Sequence, residues 1–417
     1  MKNVLAEIIT IGDEILYGQI TDTNTQWLSA ELDKVGVRTV RKSSVGDQQE
    51  SILQILAEAE QRADIILITG GLGPTKDDIT KTTLAKYFDS QLVINETALA
   101  EVTAYFKSRG REMTELNRLQ AALPENCTFI SNKSGTAPGM WFERNGKVFV
   151  SMPGVPYEMK WLMTNSILPK LQQHFKTPII YHKIIRTVAI GESFLAERIA
   201  DWEDNLPEHI KLAYLPSFGG VRLRLTATGE SRALLEAQVQ EQINLVLPLI
   251  EAHVYGYDDE DIEMAIGNLL LQDNLTLAAA ESCSGGYVAH LITKVPGSSQ
   301  YFRGAVVPYS NDLKIQLLGV KEATLQQFGA VSEQTAIEMA EGVRERLGAS
   351  IGIASTGIAG PSGGTEEKPV GTVWIACSDG NRTETRQLKL SQFRDINIQL
   401  TATYALNLIR TTLAKKL

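Results

Sequence analysis

Ala63-Asp-Ile-Ile-Leu-Ile-Thr-Gly-Gly-Leu-Gly-Pro-Thr-Lys-Asp-Asp-Ile-Thr80 decides the fold of the first half of the chain. An apolar run without polar alternation reads as a strand buried on both faces of a parallel sheet. The glycines behind it, Gly70, Gly71 and Gly73, let the backbone approach a ligand closely. The helix that opens next offers free N–H groups able to cradle a phosphate. Upstream, Ile8–Ile11 reads as another strand. Thr25–Val35 reads as a helix with Leu28, Leu32 and Val35 on one face, ended by Gly36. A second helix carries Ile52, Ile55, Leu56 and Ala59. This βαβ alternation predicts a doubly wound α/β domain whose ligands lie beyond the carboxyl ends of its strands.

Two more glycine-rich loops of similar character follow, Ser134–Met140 and Ser151–Met159. Topology brings such loops to one sheet edge, so Gly135, Thr136, Gly139, Pro153 and Gly154 join Gly70, Gly71, Gly73 and Thr75 as candidate nucleotide-binding positions. Asp77 and Asp78 could hold a hard divalent cation or simply complement the helix N-terminus. Asp13 and Glu14 are open to a plainer reading as a capped turn.

The last third has its own signature, Ala280-Glu-Ser-Cys-Ser-Gly-Gly286, then Tyr309-Ser-Asn-Asp-Leu-Lys314. The first segment closes the apolar run Leu275–Ala280 and opens a helical pattern through Val288, Leu291 and Ile292. Its hydroxyls therefore sit on a strand-to-helix turn beside free helix N–H groups. Lys314 falls in the first turn of another helix, capped by Asn311 or Ser310, where the positive dipole end lowers an ammonium pKa. A serine and a base-competent lysine on two such turns are the parts of a Ser/Lys hydrolase. Cys283 is a rival nucleophile, activated if its thiol meets the helix N-terminus. Histidine offers little competition: the chain has five, and His290 lies along the stem of its helix rather than at the mouth. The bland alternative is that Ser282 and Ser284 only cap the helix.

At 417 residues the chain calls for two or three domains. Its 43% hydrophobic and 21% charged residues describe a soluble globular protein, and no stretch reaches roughly 20 uninterrupted apolar residues, so no membrane partner is expected. Three scattered cysteines suit neither a disulfide nor a zinc framework, which makes the cytoplasm the expected compartment. A net charge of −9 and the lack of a DNA-binding motif speak against direct nucleic-acid binding. Between the two βα regions, Lys183–Ile190 and Gly220–Thr228 read as strands and 192–202 and 231–250 as helices, a small α+β module. Arg222 and Arg224 there read as a solvated strand face, with a nucleic-acid surface as the alternative.

The signature segments, with Ser355-Thr-Gly-Ile-Ala-Gly-Pro361 and Glu367-Lys-Pro-Val-Gly-Thr-Val-Trp374, closely resemble the C-terminal domain of CinA-like proteins. The resemblance implies a nicotinamide mononucleotide deamidase with Ser282 as nucleophile, Lys314 as base and Tyr309 as the motif tyrosine. Ser284, Gly285 and Gly286 would line the oxyanion side, and Thr356, Gly357, Gly360, Gly364 and Lys368 would hold ribose and phosphate, with no cofactor. The segments Gly12–Gly18, Gly70–Thr80, Gly135–Gly139 and Met152–Glu158 resemble the molybdopterin-binding fold in the version CinA-like proteins carry. That likeness implies an ADP-ribose pyrophosphatase needing a divalent metal at Asp77 or Asp78, with Asp13, Glu14 or Glu158 orienting water. A nucleotide or pterin sensor without turnover, or a role in competence or DNA damage, is the rival reading. The expected organisation is a molybdopterin-binding-like domain over 1–172, a connecting α+β domain over 173–255 and a CinA C-terminal domain over 256–417, as a homodimer.

Overall fold

The computed structural model describes residues 4–75 and 77–414; Lys76 of the first glycine loop lies outside the described residues. By internal contacts the chain divides into two units, Met1–Tyr181 with Thr228–Leu235, and His182–Ala227 with Glu236–Leu417.

The first unit is built on a six-stranded sheet ordered Val37–Val45, Val4–Ile11, Ile65–Thr69, Lys147–Met152, Gly139–Arg144, Thr128–Ile130. The first four strands run parallel, and the last two are joined on by antiparallel pairings. Alternate residues feed opposite cores: Ala6, Ile8, Ile65, Leu67, Val148 and Val150 face one set of helices, and Ile9, Ile66, Ile68 and Phe149 the other. Burial on both faces explains the unbroken apolar run. One charge interrupts it. Glu7, fully buried, accepts from Arg62 through Nε and Nη2, both at 3.1 Å, and from the Ser43 hydroxyl.

The second unit repeats the logic. Its five-stranded sheet is ordered Phe302–Val306, Leu277–Glu281, Ile351–Gly357, Thr372–Ser378, Thr383–Lys389, with the first three strands parallel and the last two joined on by antiparallel pairings. Ala278, Ala280, Ala354 and Ala376 form one face, small enough for the Glu333–Arg346 helix to lie close; Leu277, Ala279, Ile351 and Ile353 face the helix Arg394–Ala414. A four-stranded sheet, Ile210–Ser217, Gly220–Gly229, Ile179–Thr187, Val254–Tyr257, forms the connecting module with helices Glu192–Asp204 and Arg232–Ile250. Among the described residues no helix is long and apolar enough to cross a membrane.

The architecture is mixed α/β throughout. The carboxyl ends of parallel strands meet at one edge of each large sheet, and the sequence motifs hang from those edges. Gly70 shows how tightly this is done. Its φ is +112°, and a Cβ there would meet the Ile11 carbonyl oxygen at 2.0 Å. Gly70→Ala should therefore lower the unfolding free energy of the first unit by about 3 kcal/mol, read from denaturant melts, because both the backbone conformation and the space exclude a side chain.

Candidate active site and nucleotide cleft

In the second unit, Ser282 follows the strand Leu277–Glu281 and Lys314 sits in the helix Asn311–Leu318, which Ser310 caps by accepting from the Leu313 N–H. The Lys314 Nζ lies 3.2 Å from the Ser282 Oγ and donates to the Pro308 carbonyl at 2.9 Å. Lys314 is almost fully buried, and burial holds its pKa below the ordinary lysine value, with Cys283 opposing weakly. The cause is thus desolvation, where the sequence pointed to the helix dipole.

Ser282 is half-buried, whereas Cys283 is packed into the core and its thiol is pushed up to about 12 by burial. A thiol held so far from ionisation is a poor nucleophile.

The turn between them is tied down by Glu281. Its buried carboxylate accepts from the Ser284 hydroxyl at 2.8 Å and from the N–H groups of Gly286, Val288 and Ala289 at 3.1, 2.9 and 2.8 Å. The helix N-terminus expected to be free is therefore already occupied. Ser284, expected on the substrate side, turns inward and shares a 2.7 Å hydrogen bond with Ser355. The Gly285 N–H returns to the Ser282 carbonyl at 3.3 Å. Among the described residues the Ser284 N–H has no acceptor, and it alone of these three amides remains available beside Ser282.

The other expected positions separate into two groups. The exposed Tyr309 accepts from Arg394 Nη2 at 3.0 Å, and Arg394 Nη1 donates to the Gly360 carbonyl at 2.8 Å, so an arginine that the sequence reading passed over clasps two motif residues. Thr356 is buried and donates to the Ala330 carbonyl at 2.7 Å, and Gly357 is pressed against Val373. Both serve packing. Gly364 lies on an exposed loop, and Lys368 at its end reaches back to the Phe328 carbonyl at 2.8 Å.

In the first unit the loops enclose a cleft of about 570 Å³ lined by Gly70, Gly71, Gly73, Asp77, Asp78, Thr136, Pro153 and Gly154 among others. Gly135 lies behind it against the Glu158 carboxylate, and Gly139 opens a strand paired with Ile130, so neither lines the cleft as expected. Thr75 faces its own loop, donating to Asp78 through its N–H at 3.0 Å and through its hydroxyl. Asp47, absent from the sequence reading, accepts from the Asp13 N–H at 3.2 Å. Its carboxyl is raised, chiefly by burial and further by Asp13, Glu14 and Asp77. Among the described residues no three acidic, histidine or cysteine side chains converge as a metal cage would.

These features define a class: a molybdopterin-binding-like domain and a C-terminal α/β domain carrying a serine–lysine turn. Family models agree, with "Probable molybdopterin binding domain" matching residues 7–173, "Damage-inducible protein CinA KH domain" 182–256 and "CinA C-terminal domain" 259–413. A CinA-like protein of Cytophaga hutchinsonii is 54% identical over 99% of this chain and 98% of its own length; one from Flavobacterium psychrophilum is 44% identical over 98% and 99%. The chain belongs to the CinA-like family. Among solved structures, a competence/damage inducible protein CihA from Agrobacterium tumefaciens is 38% identical over 37% of this chain and 94% of its own, with a TM-score of 0.36.

Glu281 gives this site its testable weakness. Glu281→Ala would leave the Gly286, Val288 and Ala289 amides unpaired in the interior. It should cost about 3 kcal/mol or more of stability, whereas Ser284→Ala should cost about 1 kcal/mol, both measured by denaturant unfolding.

Proposed function

We propose that the second unit is an amidohydrolase acting on nicotinamide mononucleotide. The observation that carries this reading is the buried, pKa-depressed Lys314 amine 3.2 Å from the Ser282 hydroxyl. The Pro308 carbonyl accepts one amine N–H, and the lone pair of the neutral form is then free to take the Ser282 proton. Lys314 then removes the hydroxyl proton as Ser282 attacks the carboxamide carbon, and the Ser284 N–H faces the developing oxyanion. Lys314 returns the proton to the departing ammonia. Water repeats the attack on the acyl-enzyme and releases the nicotinate product.

Ser282→Ala and Lys314→Met should each lower ammonia release from nicotinamide mononucleotide by about a thousandfold or more, while Cys283→Ala retains most of it. Full activity in Ser282→Ala would overturn the reading.

The lysine sets the pH dependence. Because its folded pKa is lowered, the amine is neutral at lower pH than an ordinary lysine, and turnover is lost as pH falls through that lowered value and Lys314 protonates. Initial rates of ammonia release against pH should show an acidic limb below the ordinary lysine range. A profile flat down to pH 5 would remove Lys314 as the base.

A second activity, hydrolysis of the ADP-ribose diphosphate, is favoured by the cleft of the first unit, where a glycine loop faces several carboxylates. The residues suit a cation shared with the ligand: a hard divalent ion bound through one or two carboxylates, Asp77 and Asp78, completes its shell with phosphate oxygens. Such an ion would offset the repulsion between these carboxylates and a diphosphate. Titrating ADP-ribose calorimetrically should give strong binding with magnesium and at least about tenfold weaker binding in chelator. Asp78→Asn should abolish turnover while leaving metal-free binding unchanged or tighter. Equal affinity in both buffers would reduce the aspartates to helix caps, and metal-dependent binding without turnover would favour a sensor.

A further inference from the structure

Away from the serine–lysine pair and wholly within the second unit lies a cleft of about 690 Å³ lined by residues of the connecting sheet and the C-terminal domain. Its volume is that of small-molecule sites. The hairpin turn Ser217–Gly220 forms one wall. Gly219, at φ +76°, is seated against the C-terminal helix so closely that a Cβ would touch Thr403 at 3.0 Å.

Two arginines, Arg186 and Arg222, and two carboxylates, Asp261 and Glu263, line this cleft. Arg186 is paired with Asp261 at 2.7 Å, and Glu263 with Lys294 at 2.7 Å. Arg222 remains. Its Nε is buried without a hydrogen-bond partner, and among the described residues its guanidinium makes no ion pair. Arg222 lines the cleft without a carboxylate partner, and an anion bound there would offset its charge. Two rings line the same cleft: Phe218, 59% exposed, and the half-buried Tyr255, whose hydroxyl is engaged by Arg186. An exposed phenylalanine at the rim of a polar cleft offers a flat ring a stacking face.

We propose that this cleft binds a nucleoside monophosphate, with the phosphate on Arg222 and the base against Phe218 and Tyr255. One uncompensated cation matches one phosphate. A nucleic-acid strand needs a succession of cations, which this cleft and an acidic chain do not provide. The site is independent of the hydrolytic chemistry and holds whether or not Ser282 is a nucleophile.

Hydrogen–deuterium exchange on the full chain tests it, with adenosine monophosphate as probe. The nucleotide should protect 214–222 and 253–264 in the wild type and in Ser282→Ala. Arg222→Gln should weaken that protection at least about tenfold in half-saturating concentration, and leave unchanged any protection of the 70–80 loop. Phe218→Ala, an exposed change that leaves folding intact, should weaken it several-fold, and circular dichroism establishes that Arg222→Gln is folded. Adenosine without phosphate should bind more weakly and ignore Arg222→Gln. No protection of these segments in the wild type, or protection equal in Arg222→Gln, overturns the proposal. Protection by a uridine oligonucleotide but not by the mononucleotide overturns it in favour of a strand-binding face.

Discussion

The carboxylate of Glu281 holds the serine turn in place. A buried charge is tolerated only when its lone pairs are filled, and here three backbone amides and a hydroxyl fill them. The same bonds satisfy the opening amides of the Tyr287–Thr293 helix, so strand end, turn and helix start become one rigid piece. Ser282, caught between them, cannot drift from Lys314. The lysine is fixed from the opposite side by Ser310 capping its helix and by the Pro308 carbonyl. A distance of 3.2 Å between two flexible side chains thus rests on backbone restraints.

The first unit reaches a comparable arrangement with glycine in place of a buried acid. Gly70 and Gly154 pack backbone to backbone, which draws the loops after the third and fourth parallel strands together over a shared edge. Acid groups then crowd the rim, and the raised carboxyl of Asp47 records their mutual repulsion as well as its burial. In both units the candidate site hangs from the parallel part of the sheet. The antiparallel strands only complete its width.

How much of this the sequence disclosed depended on whether a residue's partner was local. Ile65–Thr69 and Leu277–Glu281 were legible because burial on both faces leaves a continuous apolar run. Ser282 and Lys314 were legible through motif resemblance. Glu281 was not recognised as an anchor, since an acid at a strand end reads equally well as solvent-facing until the helix closes over it. Gly139 was misplaced because a glycine before a strand and a glycine in a loop look alike; only the pairing with Ile130 distinguishes them. Alternation correctly put Arg222 opposite Val221 and Leu223, yet it could not say what lies against that face. Asp47 and Arg394 act across more than thirty residues of chain, beyond any local pattern.

Cys283, set immediately after the serine with its sulfur in the core, has a consequence for chemical durability. Peroxide and soft electrophiles attack thiolates, and a thiol held near pKa 12 supplies almost none at neutral pH. Cys127 is pushed up to about 11 by the same cause. A turn that presents a hydroxyl to the surface while keeping sulfur in the apolar interior gives oxidants nothing to modify. Oxidants that act on thiolates would meet a hydroxyl at this turn instead.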